Sequence, residues 1–419
     1  MKKHVFKGAL GLALALLTAC TPAASSNAPC ESVPPESAVQ QPAAVPAADA
    51  GPLTFYGLED GSGNGRGYYE ILMREGKPPV LTCTDFEAAQ RTVLCEQPGC
   101  AHTDENCSAF VQITTSRPRL LALDDRLVLV HGRVPALGQT PAVPARVEVR
   151  EMDGTGSRTV FTFGANEDVG LYFAADKKHL YALIRTLSDG GSVLDARLLR
   201  VELDSGAVEN LAQLGNPQDN ILVVGVFQNH VVMKRIYEGG WSRQLPTDNW
   251  EQKISSQIHS LFFVDENGQE QRLFQWQQFQ SVGFVFDQCC YVFDKDGELH
   301  KADFLTGEDT VLASFGPEWG TDFVDCPVKI GDTLILEMRP EGTLPGQVAT
   351  RRFAVNTVDG TQVELPQQTL LEGWQQPVPI LYADDRRVLT LWENGQYGLM
   401  DTSDFLAGSD AYLPVPLAQ

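Results

Sequence analysis

Three cysteines and one histidine, clustered in a short stretch, are the side chains in this sequence best suited to chemistry. They are Cys95, Cys100, His102 and Cys107, within LCEQPGCAHTDENCSAF (residues 94–110), and Cys83 lies just upstream. Three thiolates and one imidazole form a complete tetrahedral ligand set for zinc. The spacing C-x4-C-x-H-x4-C lacks the C-x2-C pairs that are typical of zinc sites. A zinc site at this insert is therefore one interpretation among several.

Two alternatives to a metal site remain open for the same residues. Outside the cytoplasm thiols tend to oxidise, and four neighbouring cysteines allow two disulfides in three connectivities. Free thiols are the third interpretation. Either crosslink would have the same structural consequence, because it would pin a polar loop to the elements on both sides of it.

The amino-terminal residues predict the compartment. Lysines at positions 2, 3 and 7 precede an uncharged apolar run at residues 8–17. Ten residues of helix rise only about 15 Å, which is too short for a hydrocarbon core of about 30 Å. The run is therefore typical of a signal peptide.

The end of this run resembles the lipobox of bacterial lipoproteins, because Leu17, Thr18 and Ala19 lead into Cys20. The resemblance implies that residues 1–19 are removed and that Cys20 carries the lipid. Two or three acyl chains, palmitate among them, suffice for stable anchoring. We therefore expect a protein anchored to the cell membrane on its extracytoplasmic face.

A spacer and an acidic balance follow from composition. Residues 21–50 contain six prolines, nine alanines and four serines, with no aromatic residue and no lysine or arginine. Such a segment cannot bury enough apolar surface to offset its ordering entropy, so we predict a disordered spacer over residues 20–51.

The formal net charge of the chain is −22, which would repel nucleic acid. We therefore exclude nucleic acid as a partner.

A repeated pattern predicts the fold of residues 52–419. Segments such as LLALDDRLVLVHG and LYADDRRVLTLWE place apolar runs on both sides of a polar turn, as in a β-hairpin. Their first apolar residues after the turn are Tyr69, Leu127, Leu180, Val231, Cys290, Leu334 and Val388. Most are followed by a second hairpin with an Asp/Gly turn. Two hairpins about every 50 residues predict an all-β fold, a β-propeller of about seven four-stranded blades.

Alternatives to this architecture are a two-sheet sandwich or a β-solenoid, and six or eight blades also fit the spacings. A sandwich has no reason to repeat its motif seven times, which favours the propeller. We expect the strand near Pro52 and the tail near Leu413 to complete one blade jointly and close the ring. The Cys/His insert would then lie between blades 1 and 2.

The first blade and its insert carry a family resemblance. The stretch YYEILMREGKPPVLTCTDFEAAQRTVLCEQPGCAHTDENC resembles uncharacterised β-propeller lipoproteins of gut Firmicutes. These overlap a domain-of-unknown-function family described as similar to the propellers of lipoprotein-receptor-related proteins. The resemblance implies a surface-exposed propeller in an anaerobic organism, which would weaken the preference for disulfides over a metal. It implies no activity.

Aromatic residues give the best indication of a surface for ligand binding. Tyr237, Trp241 and Trp250 lie in an otherwise polar insert of the fourth blade, residues 237–257, and could bind a ligand. The alternative is that they fold under the loop. We expect a monomer that recognises a glycan or a protein at the cell surface and is not an enzyme. A glycan-cleaving enzyme with carboxylates in the channel, or an envelope assembly scaffold, are the alternatives.

Overall fold

Four-stranded antiparallel sheets account for nearly all regular structure in the computed structural model. The structure describes residues 51–57, 61–113, 117–136, 141–215, 220–238, 257–277, 281–319, 324–340, 342–343, 348–366, 376–392 and 395–418. All of them belong to one compact unit. Within these ranges, no helix is both long enough and apolar enough to cross a membrane.

The strands form seven blades in chain order, preceded by one additional strand, β1 (Thr54–Tyr56). Blade 1 comprises β2 (Gly61–Gly63), β3 (Gly67–Arg74), β4 (Lys77–Asp85) and β5 (Gln90–Val93), and blade 2 comprises β6 (Arg119–Ala122), β7 (Arg126–His131), β8 (Arg146–Glu151) and β9 (Arg158–Thr162). Blade 3 comprises β10 (Glu167–Ala175), β11 (His179–Leu187), β12 (Val193–Glu202) and β13 (Val208–Gln213), and blade 4 comprises β14 (Asn220–Phe227), β15 (His230–Glu238), β16 (Gln257–Val264) and β17 (Glu270–Gln277).

The remaining three blades repeat the same order. Blade 5 comprises β18 (Ser281–Phe286), β19 (Cys289–Asp294), β20 (Glu298–Asp303) and β21 (Asp309–Ser314), and blade 6 comprises β22 (Val324–Ile330), β23 (Thr333–Met338), β24 (Arg351–Asn356) and β25 (Gln362–Leu365). Blade 7 comprises β26 (Ile380–Ala383), β27 (Arg387–Leu391), β28 (Tyr397–Asp401) and β29 (Leu413–Val415). A short helix, α1 (Thr402–Leu406), and a 3-10 turn (Pro317–Trp319) complete the regular structure.

The prediction of a seven-bladed β-propeller is confirmed. Each of the seven aligned apolar residues of the sequence pattern lies in the second strand of its blade. The predicted turn chemistry is visible in the first hairpins of blades 3 and 7. Asp176 accepts hydrogen bonds from the backbone N–H groups of Lys178 and His179, and Asp384 does the same for Arg386 and Arg387. Carboxylates of this kind stabilise the tight turn between two strands.

The hydrophobic core is divided into seven clusters, one between each pair of neighbouring blades. The cluster between blades 7 and 1 contains Tyr68 and Leu389 and closes the ring. First strands of neighbouring blades contact one another at most of the junctions between blades, so they surround the central channel. Since the blades bury their faces against each other, the hairpin turns and connecting loops form the two ends of the propeller.

The expectation that the first strand and the tail share one blade is wrong. The tail supplies β29, the outer strand of blade 7, whereas β1 pairs with β10 at the inner edge of blade 3. The inner edge of β10 faces the channel and is not used for pairing within blade 3, so it can accept β1. Beside this pairing, the Asn229 side chain accepts a hydrogen bond from Leu53 N–H. The tail still links blade 7 to blade 1, because Arg91 N–H donates to Pro416 and Ala418 N–H donates to Arg91.

Candidate metal centre

The Cys/His insert interrupts the outer strand of blade 1. Strand β5 pairs with the carboxyl-terminal half of β4 and ends at Val93, and Leu94 N–H still donates to the Leu81 carbonyl at 3.0 Å. The chain then leaves the sheet and returns to the same partner strand, where Leu81 N–H donates to Ala109 at 2.7 Å and Val111 N–H donates to Pro79 at 3.1 Å. Both ends of the insert are therefore fixed to β4.

The four predicted ligands converge at the centre of this insert. The ligand atoms of Cys95, Cys100, His102 and Cys107 all lie within 4.8 Å of one another. His102 Nδ1 is 3.2 Å from Cys107 Sγ, and His102 N–H donates to Cys100 Sγ at 3.4 Å. Zinc bonds of about 2.3 Å to sulfur and about 2.0 Å to nitrogen place tetrahedral ligands roughly 3.6 to 3.8 Å apart. The cluster could therefore hold one metal ion once its ligand atoms adjust to these distances.

The cysteines of this cluster are free thiols, as are the other cysteines in the described residues. Burial raises the pKa of Cys107 to about 12. Burial also acts to raise the pKa of Cys95, but the Gln97 backbone and the two neighbouring thiols of the cluster outweigh it and hold that pKa below its usual value. Because thiolates are the ligands of a metal, binding would release protons from this group.

The backbone of His102 is fixed by its conformation and by a hydrogen bond to its carbonyl group. His102 has φ of +54°, in the left-handed region, which histidine adopts more readily than most residues other than glycine. The Arg74 guanidinium donates to the His102 carbonyl and to the Pro78 carbonyl at the end of the first blade's hairpin. This contact connects the ligand loop to the sheet.

Cys83 does not join the cluster. It lies in β4 opposite Tyr69, and a hydrogen bond links the two side chains. Burial raises the pKa of Cys83 to about 11, so its thiol remains protonated at neutral pH. Of the five residues predicted for the metal or disulfide site, the structure brings four together and leaves this one in the strand.

Blade 2 supplies a second attachment for the insert, which sequence reasoning missed. Arg150 donates to the Ser108 carbonyl at 2.7 Å, and the same guanidinium donates to Glu148 at 2.6 Å. Glu148 also receives hydrogen bonds from His131 at 3.0 Å and Ser157 at 2.8 Å. In β8, Glu148 and Arg150 alternate with the buried residues Val147 and Val149. A pair of opposite charges within such a strand is the signal that could have revealed this buried charged group.

A glycine allows the insert to approach blade 2 closely. Gly154, with φ of +85°, lies in the turn after β8, and a Cβ there would be 2.9 Å from the Leu94 carbonyl oxygen. Beside this contact is a polar cleft of about 640 Å³ between the insert and blade 2, lined by residues such as Asp104, Asn106 and Arg146. The insert is therefore a fixed loop that forms one wall of a cleft.

The centre of the propeller contains a smaller cavity of about 200 Å³. It is lined by β1, which contributes Phe55 and Tyr56, and by inner strands of other blades, which contribute Leu120, Val328 and Tyr382. No aspartate or glutamate lies among the described residues that line it.

The predicted aromatic site lies largely outside the described residues. Trp241 and Trp250 are not among them, and only the backbone of Tyr237 is described, in β15 opposite Ile258. Glu238 and Gln257 pair at the end of the β15–β16 hairpin, so the intervening segment connects these two strands.

A second group of possible ligands, Asp294, Glu298 and His300, lies on the second hairpin of blade 5. Asp294 accepts hydrogen bonds from the N–H groups of Asp296 and Glu298, and His300 pairs with Asp309 at 3.2 Å. These contacts are those of an ordinary Asp-Gly hairpin with a surface ion pair.

Comparison with known proteins gives similarity of fold at low identity. No family model and no curated protein matches the chain. The structure is similar to an acylaminoacyl peptidase from Pyrococcus horikoshii, with 11% identity and a TM-score of 0.45 over 68% of this chain and 44% of that chain. This chain thus spans less than half the length of that peptidase.

Two further solved structures are similar at the same level. Oligopeptidase B from Leishmania major has 10% identity and a TM-score of 0.48, with 87% of this chain and 48% of that chain covered. TolB from Acinetobacter baumannii has 12% identity and a TM-score of 0.36, with 84% of this chain and 82% of that chain covered. At these values, the comparisons assign no activity, substrate or partner to this chain.

Proposed function

We propose that this chain is a recognition module, a propeller lipid-anchored through Cys20 that binds a glycan or a protein at the extracytoplasmic face of the cell membrane. The fixed insert of blade 1 is the observation that carries the proposal. It is attached to two blades, contains a group of metal-binding residues and borders a polar cleft. Binding residues are commonly placed on loops that a rigid scaffold positions in this way.

The metal of the cluster is zinc, with a structural role. Three sulfurs and one nitrogen fill a tetrahedral shell and leave no open position for substrate, as in structural zinc sites. Native mass spectrometry of protein purified anaerobically, without reductant or chelator, tests this assignment. One zinc per chain, lost in Cys107→Ser, supports it. A mass lower by two hydrogens per cysteine pair would instead identify a disulfide.

The lipid anchor is tested separately from binding. We expect the native chain to fractionate with membranes and its mature amino terminus to be a diacylated or triacylated Cys20. The Cys20→Ala variant should then lack the lipid-modified terminus. An unmodified cysteine in membrane-fractionated protein would contradict the anchor without bearing on the recognition role. The lipoprotein resemblance and the spacer composition support this part of the proposal.

Ligand binding is tested on a panel of host and bacterial glycans and envelope proteins, with retention and product release measured together by mass spectrometry. Retention without products supports recognition, and products would favour an enzyme. Trp241→Ala and Trp250→Ala, in the insert of residues 237–257, test the aromatic loop that begins at Tyr237. Unchanged retention in both variants, with folding intact, would exclude this loop as the contact surface.

A further inference from the structure

A cleft of about 530 Å³ lies between blades 3 and 4, and none of the metal-cluster residues lines it. Blade 3 contributes Tyr181, Arg200 and Glu209 to its wall, and the first hairpin turn of blade 4 contributes Gln228 and His230. Its volume lies within the range of about 300 to 1,000 Å³ that is typical of small-molecule sites. The wall is mainly polar, which suits a hydrophilic ligand.

An unpartnered hydrogen-bond acceptor lies in this wall. Gln228 Oε1 is buried and has no hydrogen-bond partner within the described part of the chain. Its residue has φ of +45°, which the two-residue turn between β14 and β15 imposes. A buried acceptor without a partner is costly. A rotation of the side chain into the cleft would bring this acceptor to a donor on a bound ligand and remove that cost.

A donor and an acceptor lie side by side on the opposite wall. The Arg200 guanidinium is paired with the Glu209 carboxylate in a half-exposed ion pair. The pair leaves further guanidinium N–H groups and a carboxylate oxygen available, so it can accept from one hydroxyl and donate to the next. Tyr181 completes this wall, with its hydroxyl held by Asp176 at 3.3 Å.

The cleft is acidic, because the carboxylates of Asp176, Glu209, Asp265 and Glu266 outnumber the one guanidinium in its wall, that of Arg200. Asp176 accepts from His179 at 3.0 Å as well as from the turn, and Asp265 accepts from the backbone of Asn267 and Gln269. Burial lowers the pKa of His230, whose ring stacks on Phe263 with centroids 4.6 Å apart. The cleft therefore disfavours an anion, and its carboxylates offer several hydrogen-bond acceptors to a ligand with many hydroxyls.

We propose that the cleft between blades 3 and 4 binds a neutral carbohydrate, with Gln228 accepting from one hydroxyl and the Arg200–Glu209 pair engaging two neighbouring hydroxyls. This inference rests on the proposed recognition function and specifies its ligand class and site. Vicinal hydroxyls match the alternation of acceptor and donor along the two walls. Hydrogen bonds to the charged pair would contribute most of the discrimination.

The test uses the full chain, purified from membranes in detergent, and calorimetric titration with maltohexaose, cellohexaose, xylohexaose and mannohexaose. We expect at least one of them to bind. Gln228→Leu and Arg200→Ala should each raise its Kd about tenfold or more. The matched control is Arg351→Ala, which removes a similar half-exposed Arg–Glu pair from blade 6 and should leave the Kd unchanged. Thermal unfolding of each variant checks that the fold is retained.

Two results would overturn this inference. One is equal affinity of the three variants and the wild-type chain for the bound oligosaccharide, which would place the site elsewhere and leave the recognition function intact. The other is the failure of the wild-type chain to bind any of the four. In that case, retention of an envelope protein in the panel experiment would preserve the recognition function, and failure there as well would refute both.

Discussion

The buried carboxylate of Glu148 should make the stability of the propeller depend on pH. Burial acts to raise its pKa, but hydrogen bonding from His131, the charge of Arg150 and the Ser157 hydroxyl outweigh this effect and lower the pKa from 4.5 to about 2. A carboxyl whose pKa is lower in the folded state contributes stability above its unfolded pKa. That contribution is lost as pH falls through the folded pKa.

The size of this stability contribution follows from the shift in the pKa of Glu148. A difference of roughly 2.5 pKa units corresponds to about 3 kcal/mol at pH 7, since one unit is 1.36 kcal/mol. Linkage places about 1.4 kcal/mol of this loss between pH 7 and pH 3.5, and the remainder below pH 3.5. The side chain is only 8% exposed, so solvent screening removes little of the effect.

The assay compares the wild-type chain with Glu148→Gln by urea unfolding at pH 7 and pH 3.5. At pH 7 the variant should be less stable by about 3 kcal/mol, because Arg150 and His131 lose a charged partner. At pH 3.5 the difference should shrink by about 1.4 kcal/mol. Glu364→Gln, in the half-exposed pair with Arg351, is the control and should cost less than about 1 kcal/mol. An equal difference at the two pH values would refute the linkage argument.

Three further outcomes follow from the contacts around the insert and the ring closure. Chelation of the metal, or Cys107→Ser, should lower the melting temperature and increase proteolysis within the insert; unchanged proteolysis would show that the cluster does not hold the loop. Gly154→Ala should cost more than Gly76→Ala, which shares the positive φ but has no neighbour within 4 Å, as measured by urea unfolding; equal costs would contradict the close approach of the insert. Tyr397→Phe should cost about 1.5 to 3 kcal/mol, because Tyr397 donates to buried Glu70 at 2.6 Å across the ring closure; a cost below about 0.5 kcal/mol would contradict a role in closure.

The blades were predictable from sequence because their signals are local. Alternating apolar residues and Asp/Gly turns determine each hairpin within a few residues, so the register of the second strands followed directly. The meeting of Cys95 with Cys107 was also accessible, since both residues lie in one short insert. The position of Cys83 outside the cluster was not accessible from the sequence. It depends on the pairing of β4 with β3 and not on distance along the chain.

Contacts between distant segments were beyond sequence reasoning. Three residues of β1 pair with β10, more than a hundred residues later, and no periodicity in so short a strand indicates its partner. The cleft between blades 3 and 4 likewise combines Arg200 with Gln228, and only the packing of two blades brings them to opposite walls. Individual turns could be inferred from local composition, whereas sites between blades can be found only once the packing of the blades in the ring is known.

The position of the insert explains why a propeller can accommodate it. An outer strand has one free edge and contributes least to the packing between blades, so the chain can leave it after Val93 and return at Ala109 without breaking an inner strand. Such an excursion loses the sheet hydrogen bonds that would otherwise order it. The cysteine–histidine cluster and the Arg150 contact from blade 2 supply the missing order from opposite sides. A metal bound at this position would therefore act on the shape of the cleft beside it, because the loop that it would fix is one of the cleft walls.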